Sequence, residues 1–238
     1  SSTFVGGTAN DGLNTSTKLT YNYADEVRGE IDIDKQNNIY IATCTQSIDF
    51  PTKNSFQHNS NGGQEGCIVK MDNQLTSIIW STYLGGAHDD AIYSLALDDN
   101  DNIYVTGGTT SSDFPTTNTS YDNTFNGGYS FTLQGLGCSF PNGSDIFISK
   151  LNSQGGGLIS STFVGGSSND GLNLANKLKI NYADEVRGEI ELDQDNNIYI
   201  VSCTKSTDFP ISKNAFQKTM NSGDFIKFIL CGNFGRKM

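Results

Sequence analysis

The sequence predicts an all-β fold, a β-propeller of about three four-stranded blades, and three observations predict it. The first is duplication. Residues 1–51 and 160–210 align without a gap and are identical at 36 of 51 positions, and the decamer NYADEVRGEI at 22–31 returns unchanged at 181–190. A more divergent copy lies between them: WSTYLGG (80–86) answers SSTFVGG (1–7 and 160–166), and ALDDNDNIYVTGGT (96–109) answers DIDKQNNIYIATCT (32–45) and ELDQDNNIYIVSCT (191–204). The second is a period of two in the apolar residues of short segments, with no sustained helical period. The third is composition, with 26 Gly against 4 Pro and abundant Asn and Asp, which suits many short strands joined by turns. A parallel β-helix is the runner-up, but its rungs are shorter than these units.

The elements follow in order. Residues 1–7 read as a lone outer strand, of a preceding or of the last blade. Blade 1 spans 27–84, with strand a at 27–33, b at 38–43, c at 67–71 and d at 77–84. Along its strand a, Val27, Gly29, Ile31 and Ile33 are expected to point one way and Arg28, Glu30 and Asp32 the other. Strand b reads Ile-Tyr-Ile, β-branched and aromatic, behind an Asn-Asn turn. Blade 2 spans 91–164 with strands at 91–97, 102–107, 146–151 and 158–164. A partial blade 3 covers 186–228, with strands at 186–192 and 197–202 and a degraded c strand at 223–228; residues 229–238 leave the repeat pattern. The whole of 1–238 thus reads as one propeller region, a partial ring or a piece of a larger one. Flanking blades or a second copy would be needed to close it, since closed rings use four blades or more.

The residues WSTYLGG (80–86), then D-x-x-x-N-I-Y-V-T-G-x-T, then DFPTT (113–117), then DIFISKLN (145–152) resemble the SBBP β-propeller repeat. The resemblance implies the fold and a setting in large secreted or surface-attached bacterial proteins. It implies no shared reaction and no catalytic residues. The chain departs from the repeat in two ways: Cys44 and Cys203 stand where the middle copy has Gly108, and several loops are long.

Loop length carries the functional expectation. The a–b and c–d turns, which leave one face of the ring, are short throughout. The d–a loop is only 87–90 in the middle copy but swells to 8–26 and 167–185 in the outer ones, and the b–c loop is longest at 110–144. All added length therefore lies on one face, and long loops on a rigid scaffold carry function. Tyr121, Phe125, Tyr129, Phe131 and Phe140 on the longest loop could stack on a sugar or fill a partner's pocket, or could fold the loop onto itself. The expected function is a non-catalytic extracellular or cell-surface module that binds a glycan or a surface protein through this face. A structural spacer, or a carbohydrate-active hydrolase or lyase, are the alternatives.

Charge and motifs narrow the rest. A net charge of −11 argues against nucleic acid. No run of about 18 apolar residues suggests a membrane span. With His58 and His88 the only histidines and no G-x-S-x-G or H-E-x-x-H, nucleophilic or zinc chemistry finds no support. No cofactor is expected, except that Asp98, Asn100 and Asn102, and Asp193, Asp195 and Asn197, space oxygens as the first half of a Ca²⁺ loop does. The same residues suit a tight hairpin without metal. The acidic pairs Asp25-Glu26, Asp89-Asp90 and Asp184-Glu185 read as solvated faces or caps for backbone N–H groups. Cys44 and Cys67 fall on neighbouring strands, where a disulfide or two buried thiols are both open; Cys203 with Cys231 could repeat the pairing.

Overall fold

A computed structural model describes residues 1–12, 29–129, 131–132, 139–140, 142–171 and 188–220. Strands β1 (Gly29–Ile33), β2 (Ile39–Thr45), β3 (Glu65–Met71) and β4 (Ile78–Leu84) form the first antiparallel sheet in that order. Then come β5 (Asp90–Leu97), β6 (Ile103–Thr109), the short β7 (Phe131–Thr132) and β8 (Ser139–Phe140), β9 (Asp145–Leu151) and β10 (Leu158–Val164). β5-β6-β9-β10 make the second four-stranded sheet, and β7 pairs only with β8. β11 (Gly188–Leu192) and β12 (Ile198–Ser202) form a two-stranded third sheet. These antiparallel four-stranded sheets, stacked side by side, are the architecture of a partial propeller.

The sheets stack because each has two apolar faces. Between the first and second sheets lie Tyr40, Ala42, Ile68, Trp80 and Leu84 against Leu95, Ile103, Val105, Phe147 and Phe163. The other face of the second sheet, with Ala96, Tyr104, Ile146, Ile148 and Val164, packs on Ile190, Ile198 and Ile200 of the third. The first strands of the units are neighbours, with β5 touching both β1 and β11, as the inner strands of successive blades do. Each fully buried Leu, Ile or Phe in these layers contributes about 1.5–3 kcal/mol.

The hairpin register is the same in all three units: Ile33 faces Ile39, Leu97 faces Ile103 and Leu192 faces Ile198. Its turn needs one left-handed residue, and Asn37, Asp101 and Asn196 supply it at φ of 62°, 60° and 60°. The outer edges of the sheets are covered by the b–c loops. Lys53 and Gln57 hydrogen-bond along β4 and Thr117 and Asp122 along β10, which hides edges that would otherwise template aggregation.

Some expectations change. Residues 1–7 do not form a strand; Val5 packs on the first sheet while Phe4 is exposed. The alternation along β1 is present, but it is the apolar Ile31 and Ile33 that are exposed, at 63% and 57%. Their counterparts Leu95 and Ile190 are buried by a preceding sheet, and among the described residues no sheet precedes the first. Cys44 faces Gly66 and Cys67 faces Thr43 in the β2–β3 register, so the two side chains leave opposite faces of the sheet. The two therefore form no disulfide with each other, and Cys44, Cys67 and Cys203 are all buried. Cys138, Cys231, Arg28, Arg187, Asp25-Glu26, Asp184-Glu185 and the c strand expected at 223–228 lie outside the described residues.

Candidate functional site

The rim that carries the long b–c and d–a loops is built on one hydrogen-bonded clasp that occurs three times, once between the N-terminal segment and the first sheet and once at each of the two sheet junctions. Each uses a Gly-Gly turn after strand d, an Asp at the end of that turn, and a T-x-S-x-D-F run after strand b of the next unit. In the first, the Gly7 N–H donates to Asp11 Oδ2 (2.8 Å) and the Ser47 hydroxyl to the same oxygen (3.1 Å). In the second, Gly86 N–H (2.7 Å) and Ser111 hydroxyl (2.9 Å) donate to Asp90 Oδ2. In the third, Gly166 N–H and Ser206 hydroxyl, both at 2.7 Å, donate to Asp170 Oδ2. Thr45 and Thr204 also donate to the Oδ1 of Asp11 and Asp170.

The DFP triplets complete the clasp. Asp49, Asp113 and Asp208 accept the backbone N–H of Thr8, Ala87 and Ser167 at 2.8, 2.9 and 2.9 Å; Phe114 and Phe209 enter the cores between sheets, and Phe50 packs with Cys67, Val69, Met71 and Tyr83 on the other face of the first sheet. One short motif thus caps a loop and plugs a core. Of these three acids only Asp90 is singled out by the sequence, as part of a pair read as a solvated face or a cap; Asp11 and Asp170 pass unnoticed, and the complete burial of Asp90 and Asp170 is set by the packing of the sheets.

Two further acids meet these clasps, and sequence reasoning passed over both. Glu65 opens β3 and Asp145 opens β9, at equivalent positions, and both are buried. Glu65 Oε1 accepts the N–H groups of Asn61 and Gly62, each at 2.6 Å, while Oε2 has no hydrogen-bond partner. Asp145 Oδ2 accepts the N–H groups of Asn126 (2.7 Å) and Gly127 (3.2 Å), while Oδ1 has none. A Cβ on Gly85 would lie 1.9 Å from Glu65 Oε2 and 2.6 Å from Asp90 Oδ2. On Gly165 it would lie 2.5 Å from Asp145 Oδ1 and 3.0 Å from Asp170 Oδ2. The glycine is required because the two carboxylates close over its Cα. Burial pushes Glu65 and Asp145 each up to about 7, against the pull of their backbone N–H donors. Burial also pushes Asp170 up to about 6 and Asp90 well above the usual carboxylate range.

The residues expected to bind divide. Tyr121 and Tyr129 are exposed, at 59% and 76%. Phe125 is not a surface aromatic: its ring stacks edge-on against Phe163 at 5.9 Å and joins the core between sheets. The neighbouring Asn126 and Gly127, held by Asp145, keep it there. Phe131 and Phe140 face each other across the β7–β8 ribbon, and their side chains lie outside the described residues.

The Asp-Asn turns lie at the opposite ends of the strands, and their oxygens are engaged by the chain itself. Asp98 Oδ1 accepts the N–H groups of Asn100 and Asn102, and Oδ2 accepts the Asn102 amide (2.9 Å) and pairs with Lys150 at 3.2 Å. Asp34 repeats this with Asn38 and with Lys70 at 2.9 Å. Asp193 accepts from Asp195, Asn197 and the Tyr199 hydroxyl. Asn100, Asn102, Asp195 and Asn197 therefore serve as donors that close a hairpin rather than as converging ligands. Among the described residues no three His, Cys, Asp or Glu side chains gather to hold a metal ion.

The beta-propeller repeat model of the SBBP family matches residues 79–115. The matched segment runs from β4 through β5 and β6 to the second DFP triplet, so it contains one whole clasp and straddles two sheets. No curated protein matches the chain.

Proposed function

From the premise that this is an SBBP-type beta-propeller repeat protein, we propose that it is an extracellular or cell-surface binding module whose long-loop rim holds a glycan or another surface protein. The repeat itself is a non-catalytic structural unit. The observation that carries the binding role is the pair Tyr121 and Tyr129, exposed on a loop that is pinned at both ends of this stretch to the second sheet. A rigid loop presents aromatics at low entropic cost, the condition under which they stack on sugar rings or anchor a protein contact. Catalysis by the near-neutral acids is disfavoured on physical grounds, because Glu65, Asp90, Asp145 and Asp170 are sealed from solvent and from any substrate. The open face around Ile31 and Ile33 is where a further unit of the same kind would stack, supplied by flanking sequence or by a second copy.

A printed glycan panel and a bacterial-surface protein extract, probed with wild type and with Tyr121→Ser/Tyr129→Ser, test the reading. Binding that drops about tenfold or more in the double variant, with unchanged thermal stability, is the expected result; each lost stacking contact is worth roughly 1 kcal/mol. Binding equal in both proteins, or none by either, would leave a structural spacer as the better description.

A further inference from the structure

Glu65 with Asp90, and Asp145 with Asp170, are the same device one unit apart. Each joins the first residue of a c strand to the Asp of the following Gly-Gly turn, directly over Gly85 or Gly165. All four side chains are buried. Glu65 Oε2, Asp90 Oδ1 and Asp145 Oδ1 have no hydrogen-bond partner, while both oxygens of Asp170 accept one. Over Gly85 and Gly165 the unpartnered Glu65 Oε2 and Asp145 Oδ1 lie beside Asp90 Oδ2 and Asp170 Oδ2, which already accept an N–H and a hydroxyl.

Among the described residues the neighbours supply no positive charge. The titratable groups around Glu65 and Asp90 are His88 and Asp89, which precede Asp90 in the β4–β5 turn, and Asp113, which holds the Ala87 N–H; Asp122 and Asp208 add negative charge beside Asp145 and Asp170. No Lys or Arg among the described residues forms an ion pair with any of the four acids. Two buried like charges this close cannot both persist without a counter-charge. A divalent cation such as Ca²⁺ takes six to eight oxygens, and no third acid joins either pair among the described residues. A proton needs only the two adjacent carboxyl groups.

We propose that each pair keeps a proton on its adjacent buried carboxyl groups, and that losing it as pH rises through neutrality drives the pair apart and loosens the junction between successive sheets. The clasp is thereby a pH-sensitive lock beneath the loop rim, whatever that rim binds. The direction follows from linkage. The folded chain holds these protons more tightly than the unfolded chain does, with Asp170 released near pH 6 and Glu65 and Asp145 near 7. Their contribution is complete below the unfolded carboxyl range and is lost as pH rises through those values.

The test is thermal unfolding of the whole chain from pH 5 to pH 8.5 in chelator, for wild type and for Glu65→Gln/Asp145→Asn. Each amide places an N–H donor where the proton sits. Wild type is expected to melt roughly 5 °C or more lower at pH 8 than at pH 5, and the double variant to lose most of that slope. Exchange of the Gly86 and Gly166 amide protons should accelerate over the same range in wild type, beyond the intrinsic pH effect, but not in the variant. A flat wild-type profile, an unchanged slope in the variant, or recovery at pH 8 on adding Ca²⁺ would each overturn the proposal. Should the double variant not fold, carboxyl ¹³C titration of Glu-labelled wild type decides: with six Glu in the chain, one resonance moving near neutrality supports the proton, and all six moving near pH 4–5 refutes it.

Discussion

Gly108 and Tyr93 show how a single residue adapts one unit of the repeat. β5 carries a bulge between Ile92 and Ser94, and Tyr93 is the extra residue there. Its hydroxyl oxygen lies 2.4 Å from the point a Cβ on Gly108 would occupy, with the next ring atom at 3.3 Å. The outer units, which have Cys44 and Cys203 at the equivalent position, fill the space with a thiol. Gly108→Ala should therefore cost about 1–3 kcal/mol through overpacking. In a Tyr93→Phe background the same change should cost about 1 kcal/mol less, because the colliding atom is gone. A denaturation double-mutant cycle measures this coupling, and a value near zero would mean that Tyr93 moves aside freely.

At the scale of the element, the hairpins are held at one end by a buried charge and at the other by the clasp. Lys150 sits over the Tyr104 ring at 4.5 Å, hydrogen-bonds its hydroxyl at 2.6 Å and pairs with Asp98. Lys70 likewise sits over the Tyr40 ring at 4.7 Å and pairs with Asp34 at 2.9 Å. Burial works to raise Asp34 and Asp98, but their Asn amides and N–H donors with the Lys ammonium outweigh it and hold both below the usual carboxylate range. Lowered groups stabilise above the unfolded value and lose that contribution only as pH falls through the folded one, so their window lies below about pH 4 and does not overlap the clasp's. Lys150→Met leaves Asp98 buried without its cation and should destabilise by about 3 kcal/mol at pH 7, with a smaller loss near pH 3 where Asp98 can protonate. Urea unfolding at the two pH values checks it; an equal loss at both would assign the effect to packing alone.

At the scale of the whole molecule, the repeated decamer becomes an experiment already half done. Its last three residues, Gly-Glu-Ile, begin both β1 and β11 in the same hairpin register. Ile31 is nevertheless 63% exposed, while Ile190 is 2% exposed against the second sheet. Ile190→Ala should cost about 2–5 kcal/mol and Ile31→Ala less than about 0.5 kcal/mol, measured by equilibrium unfolding at a concentration where light scattering shows single chains. A cost at Ile31 matching that at Ile190 would mean that another unit covers this face in solution.

By itself the sequence determined the strands of the two four-stranded sheets and the hairpin turns, and it carries a segment that matches the SBBP beta-propeller repeat, because these rest on local signals: alternation along a strand, Asn or Asp at a left-handed turn, and long segments copied intact. It also placed the long loops on one rim, since antiparallel order alone decides where a connection emerges. Only the tertiary structure decided which copies of the same residue are buried, because burial depends on a neighbouring sheet and not on the strand's own pattern. For the same reason Phe125 became core, Cys44 and Cys67 parted to opposite faces, and Glu65 and Asp145 met the acids of the next unit. Those partners are 25 residues away in the chain, and only the stacking of sheets brings them together, in a place where water cannot screen them.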